Sequence, residues 1–275
     1  MSILASTTHS LRERVVRRDL MRGSFVKLTD PSSIEIMGAV GFDFVVLDQE
    51  HGVFDRATMN VSLLAARAVG ISAVVRVPQL GSDAILAALD GGATGILAPH
   101  VVTVDDARAL VASCRYRAGR RGFSGMTRAG GYGAHSMWKH VDAADASIAV
   151  IAMIEDPPAL GSIDAILAVE GLDAVFVGRG DLTVAFNAPT RDDERIVQAV
   201  DRILAAGRKC AKQVWVMVDS ASDAEAFRAR GASAFIVSSD QGMLRKAAAD
   251  IAGKLCFSGE PARTALQGPA GAAPN

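Results

Sequence analysis

The stretch FDFVVLDQEHGVFDRATMNVSLLAARAVGISAVVRV, residues 42–77, decides the fold. It opens with an unbroken apolar run, Phe44-Val45-Val46-Leu47, that stops at Asp48, and closes with a second, Ala73-Val74-Val75, that stops at Arg76. Strands that are apolar throughout, with no polar alternation, are covered on both faces. Between the two runs Ala57, Val61, Leu64, Ala65 and Ala68 recur at helical spacing, and Gly70 closes the helix before the next strand. The stretch is a strand-helix-strand unit, which demands parallel pairing and a right-handed crossover.

The unit recurs along the chain. Apolar runs at 24–28, 95–99, 148–154, 174–178, 214–218 and 234–238 join the two above to make eight strands. Helical stretches separate them, such as the one carrying Ile196, Val200, Ile203 and Leu204. Asp30-Pro31 and Asp156-Pro157 each place a capping carboxylate before a proline suited to a first helical turn. Eight such units close into a (β/α)8 barrel, the TIM-barrel architecture of the α/β class. A doubly wound open sheet is the rival topology, but no GxGxxG follows the first strand to support it. The connection 114–146 is long and glycine-rich, and long ordered loops in compact domains are usually functional.

With 275 residues, half of them hydrophobic, the chain suits one large domain. Its 29 Lys plus Arg balance 30 Asp plus Glu, leaving no field to gather phosphate backbones or anionic lipid, so nucleic-acid and membrane partners are not expected. The apolar run 148–154 is far short of the roughly 20 residues that span a bilayer, and the N-terminus lacks the pattern of a secretory signal. A cytoplasmic location is the expectation. Three cysteines with no CxxC pair, Cys114, Cys210 and Cys256, argue against a disulfide framework and a structural zinc site. The chain divides into an N-terminal segment 1–22, a barrel 23–257 and an Ala-, Gly- and Pro-rich tail 258–275 expected to be disordered.

Chemistry in such a barrel sits where strands end. Four of the strand ends carry charge: Asp48-Gln49-Glu50-His51, then Arg76, then Glu155-Asp156, then Arg179-Gly180-Asp181. Glu155 and Asp181, on neighbouring strand ends, offer the oxygen donors that a hard divalent cation such as Mg²⁺ or Mn²⁺ requires. The alternative is that each caps the helix that follows, a role at the first of these loops more natural to Asp156. Arg76, ending an apolar run, needs an anionic partner from the protein or from a ligand. His51 is either an exposed loop histidine or a proton-transfer group working with its acidic neighbours Asp48 and Glu50.

The segments 41–51, Val75-Arg76-Val77-Pro78 and Leu89-Asp90-Gly91-Gly92-Ala93 resemble the HpcH/HpaI family of metal-dependent aldolases. So do Met153-Ile154-Glu155 and the segment 169–182, which together look like the family's metal-binding signature; the likeness runs from about residue 23 to 251. The resemblance implies a barrel whose last helix is exchanged between subunits of a homo-oligomer, usually a hexamer built as a trimer of dimers. It implies reversible aldol cleavage of a 4-hydroxy-2-oxo acid to pyruvate, or a related 2-oxo acid, plus an aldehyde.

The resemblance also implies roles. Glu155 and Asp181 would hold a divalent cation, Mg²⁺ or Mn²⁺ ahead of Co²⁺ or Zn²⁺, which stabilises the enolate as a Lewis acid. Arg76 would bind the substrate's 2-oxo oxygen, and His51 with Asp48 would move protons through water. Asp90 would act on the His51 of a neighbouring subunit, and Arg121-Gly122 would line the mouth of the site. Backbone amides around Gly180, beside Asp181, would receive the substrate carboxylate. No Schiff-base lysine is required, which suits a strand set whose only lysine is Lys27.

Gln49 and Arg179 depart from the family's commoner pattern: Arg179, a cation beside a metal ligand, either binds an additional substrate carboxylate or alters the substrate pocket, and Gln49 with Glu50 reshapes the strand-two loop. The same scaffold supports a citrate-synthase-like condensation and acyl-CoA lyases, although no basic cluster suited to a CoA diphosphate is present. From a different class, the alternative is a noncatalytic barrel that binds a 2-oxo acid; a sensor, however, needs no proton-transfer group such as His51.

Overall fold

The computed structural model describes residues 9–254. Its elements run α1 (Leu11–Val16), β1 (Met21–Val26), α2 (Ser32–Ala39), β2 (Phe44–Asp48), α3 (Arg56–Val69), β3 (Ser72–Arg76), α4 (Ser82–Asp90), β4 (Gly95–Ala98) and α5 (Val104–Cys114). They continue with α6 (Met137–Ser147), β5 (Ala149–Ile154), α7 (Ile163–Leu167), β6 (Ala174–Val177), α8 (Arg179–Ala185), α9 (Glu194–Lys209), β7 (Gln213–Val218), α10 (Ala221–Ala229), β8 (Ala234–Ser239) and α11 (Asp240–Lys254). All neighbouring strands are parallel, and β8 pairs with β1 to close the barrel.

Period-two alternation sorts each strand's side chains between barrel interior and helix layer. Phe44, Val46, Val74, Leu97, Ile151, Met153, Phe176, Trp215 and Ile236 fill the interior, while Val45, Leu47, Val75, Ile96 and Val150 pack under the helices. Gly23, level with Phe44 across the β1–β2 ladder, has no room for a Cβ because the Phe44 ring occupies that space. The interior rows continue upward in register to Asp48 after Val46, Arg76 after Val74 and Glu155 after Met153. The fold therefore delivers these charged residues to the C-terminal mouth of the barrel.

Several boundaries differ from expectation. The segment before the barrel includes α1, whose Leu11 and Val15 are buried against the interior core, and β1 begins at Met21. The connection 114–146 includes α6, which buries only His140, Val141 and Ala144. The tail 258–275 and Cys256 lie outside the described residues; Cys114 and Cys210 are free thiols. Among the described residues no helix is long and apolar enough to cross a membrane.

Candidate active site

Register makes Asp48 and Arg76 direct partners across β2 and β3. The guanidinium binds the carboxylate through two bonds, Nε to Oδ1 at 2.9 Å and Nη2 to Oδ2 at 2.7 Å. Both side chains are buried, and the Phe25 ring lies 4.8 Å from the Arg76 Cζ. The Glu50 and His51 amides also donate to Asp48 Oδ1, and Lys27 Nζ stands 3.5 Å from Oδ2. Burial alone would raise the Asp48 pKa, but the Arg76 hydrogen bond and charge, the His51 amide and Lys27 hold it below the usual aspartate value. Beside the proton transfer with His51 expected of it, Asp48 has a second task, holding Arg76 in place. Asp48 meets His51 only through the backbone amide, and its oxygens are committed to fixing Arg76. The remaining Arg76 Nη1 faces Glu50 Oε2 at 3.3 Å.

Across the mouth, Glu155 is only 3% exposed at the end of β5. Its Oε1 accepts the His100 amide at 2.7 Å, and Oε2 faces Gly178, where an added Cβ would stand 3.2 Å from it. Burial pushes the Glu155 carboxyl up to about 7, helped by the charges of Asp181 and Glu50 and opposed by the His100 amide and ring. Asp181 lies exposed in the first turn of α8 and does not cap it. Asp156 likewise makes no cap bond; its Oδ2 pairs instead with His100 Nδ1 at 3.0 Å.

These residues fit a divalent cation. A buried carboxylate whose ionisation is opposed by neighbouring carboxylates is a site that an added positive charge would stabilise. His100, Glu155 and Asp156 also place one ligand-type atom each within 4.8 Å of one another. Their ligand atoms thus cluster, and the charge of Asp181 acts on Glu155 as well.

A carboxyl that titrates near 7 must release its proton when a cation binds. Mn²⁺ affinity is expected to rise about tenfold per pH unit below that value and to level above it, with proton release visible by calorimetry in buffers of different ionisation enthalpy. An affinity flat from pH 5.5 to 8 would show that Glu155 is not the ligand.

Other expected site residues are placed as follows. His51 is half exposed on the loop after β2, its Nε2 3.9 Å from Glu50 Oε2. Gly180 is exposed beside Asp181, with nothing within 4 Å of the place a Cβ would take. Arg179 is partly engaged within the protein, while its Nε is buried with no hydrogen-bond partner among the described residues. Its Nη2 donates to the Met217 carbonyl at 2.6 Å and faces Asp223 at 3.4 Å, and Cζ sits 4.7 Å from the Phe227 ring. A carboxylate of the protein, Asp223, thus already faces the cation expected to meet a substrate carboxylate.

Asp90 ends α4 at the opposite end of the barrel and pairs with Arg121 of the same chain, Nη2 to Oδ1 at 3.1 Å. Within one chain neither reaches the cluster at the mouth. His100, just past β4, was not singled out in the sequence, yet it touches three of the site's carboxylates.

Residues 22–247 match the family model described as HpcH/HpaI aldolase/citrate lyase. The 5-keto-4-deoxy-D-glucarate aldolase of Klebsiella pneumoniae is 32% identical over 232 residues, covering 84% of this chain and 90% of the relative. An HpcH/HpaI aldolase/citrate lyase family protein from Burkholderia cenocepacia superposes with a TM-score of 0.85 at 28% identity, covering 90% of this chain and 99% of its own. The citrate synthase SbnG superposes with a TM-score of 0.81 at 31% identity, covering 89% and 97% respectively.

Proposed function

The chain belongs to the HpcH/HpaI aldolase/citrate lyase family and is a carbon–carbon lyase of the aldolase class, and from that premise we propose that it reversibly cleaves a 4-hydroxy-2-oxo acid to pyruvate, or a related 2-oxo acid, and an aldehyde. The observation that carries this reading is Arg76, a buried cation fixed at the mouth by a bidentate aspartate, across from the buried carboxylate of Glu155.

Glu155 and Asp181 are the residues that would hold a divalent cation, which when bound supplies positive charge for the 2-oxo oxygen. In cleavage the 4-hydroxyl gives up its proton, the C3–C4 bond breaks, and its electron pair moves towards C2, leaving an enolate oxygen. Arg76 presents a second fixed positive charge to that oxygen without reorganising, because Asp48 already holds its orientation. His51 takes the 4-hydroxyl proton, directly or through water, and C3 is then protonated to give the methyl group of pyruvate. The amide of Gly180 is free to receive the substrate carboxylate.

The likeness to SbnG supports a second reading, condensation with a 2-oxo acid in place of an aldehyde. That acceptor brings an extra carboxylate, and the pairing of Arg179 with Asp223 favours the aldehyde. The test is lactate-dehydrogenase-coupled release of pyruvate from a panel of 4-hydroxy-2-oxo acids, with Mn²⁺ and then EDTA. Cation-dependent release is expected; no release from any member, with citrate formed from oxaloacetate and acetyl-CoA instead, would favour condensation.

We also propose that α11 packs on a neighbouring subunit of a hexamer. Leu244 and Ile251 on this helix are more than 60% exposed, an arrangement that calls for a covering partner. Light scattering is expected to give about six times the 28.7 kDa chain mass, and Leu244→Asp with Ile251→Asp a smaller species. A hexamer untouched by the double substitution would place the interface elsewhere.

A further inference from the structure

Lys27 follows the last residue of β1 and continues the inward row of Met21 and Phe25, one step above the ring that lies against Arg76. Its ammonium stands 3.5 Å from Asp48 Oδ2, the oxygen that also accepts from Arg76 Nη2 at 2.7 Å. Two cations thus share one carboxylate oxygen. The backbone beneath is fixed as well: the Lys27 and Leu28 amides donate to the two oxygens of Asp240, at 2.9 and 3.0 Å, and Asp240 is buried at the start of α11. The side chain, 27% exposed, therefore reaches the mouth from a rigid anchor.

Charge around Arg76 does not balance without Lys27. The guanidinium faces two carboxylates, Asp48 through the bidentate pair and Glu50 at 3.3 Å. One positive charge against two negative leaves a net negative cluster where an enolate oxygen has to develop, and such a cluster opposes that oxygen. Lys27 supplies the second positive charge. It meets Asp48 directly, which leaves the charge of Arg76 to act on the 2-oxo oxygen.

We propose that Lys27 is a positioning residue of the aldol reaction, neutralising Asp48 so that Arg76 presents its positive charge to the enolate. The inference rests on the aldolase reading above and deepens it. Lys27 acts through Asp48 and Arg76 and forms no bond to the substrate, unlike a Schiff-base lysine.

The experiment follows proton–deuterium exchange at the methyl group of pyruvate with the Mn²⁺-loaded full chain, wild type, Lys27→Met and Lys27→Arg. The affinity of each for oxalate, a planar dianion shaped like the enolate, is measured alongside. Lys27→Met is expected to lower the exchange kcat about ten- to a hundredfold and to leave the pyruvate KM within about threefold, because the lost charge matters as the oxyanion develops. Oxalate should bind this variant about tenfold more weakly. Lys27→Arg, which keeps the charge and cannot form a Schiff base, should recover most of both. Lys27→Gln, also uncharged, stands in if Lys27→Met does not fold. Exchange by the uncharged variant at the wild-type rate, an arginine variant as slow as the uncharged one, or a pyruvate adduct trapped on Lys27 by borohydride would each overturn the proposal. So would a parallel loss of Mn²⁺ affinity, the mark of a merely structural role at the rim. The two levels separate in the wild type: exchange that loss of the Lys27 charge leaves untouched defeats only the Lys27 inference, whereas no exchange with the cation bound defeats the aldolase reading beneath it.

Discussion

Glu155→Gln is expected to lower cation-dependent kcat/KM by at least about a thousandfold, the scale of removing a metal's charge from a developing enolate. The amide keeps the size of the side chain and a carbonyl oxygen for the His100 amide, so the β5–β6 rim should keep its shape. What it loses is the charge that a cation answers. The metal-free variant should be at least as stable as the wild type, because it removes a carboxylate that burial, Asp181 and Glu50 already hold near neutral up to about 7. The sign is that of a raised acid: the protonated form is favoured in the fold, so the wild type without metal loses stability as pH climbs from the ordinary glutamate range to about 7. Differential scanning fluorimetry with Mn²⁺ reads both effects. The wild-type Tm should rise with the cation and the variant's should not; a variant that keeps the shift and the activity would move the metal elsewhere.

The second large effect is expected at Asp48. Asp48→Asn leaves the buried Arg76 without its bidentate anion, and breaking such a pair costs about 3–5 kcal/mol. The freed guanidinium no longer faces one direction, so kcat is expected to fall by about a hundredfold or more. Asp48 is held below the ordinary aspartate value, so its contribution to stability is present above that value and disappears as pH falls through the lowered pKa. Urea melts at pH 7 and at pH 3 test this: the stability gap between wild type and variant should be wide at pH 7 and narrower at pH 3. The pH–rate profile makes the second check. If Asp48 only positions Arg76, the variant keeps the wild-type limbs at lower amplitude; loss of a limb would show Asp48 carrying a proton as well.

The barrel was legible because its strands are apolar on both faces and stop abruptly at charge, as at Leu47-Asp48 and Val75-Arg76. The inward parity of Asp48, Arg76 and Glu155 follows from the same runs. The carboxylate partner of Arg76 was a pairing question, settled only when register set residue 48 beside residue 76. His100 carried the same signal as the others, a polar residue just past a strand, hidden behind Pro99 in a loop without acidic neighbours in sequence. The fate of Arg179 was not readable, since Asp223 lies 44 residues on and reaches it only after β7 and α10 dock. Helix α6 is not legible in the sequence, because one buried face of His140, Val141 and Ala144 is too sparse to announce a helix directly after a glycine-rich stretch.

The central claim is that this mouth generates and holds an enolate, and proton–deuterium exchange at the methyl group of pyruvate tests it without any aldehyde. The protein, stripped with EDTA and then given Mn²⁺ or Mg²⁺ in D₂O, is followed by NMR. The account predicts loss of the methyl proton signal only with the cation present, and its persistence in Glu155→Gln. Exchange that ignores the cation, or no exchange by a wild type shown to have bound it, would contradict the account.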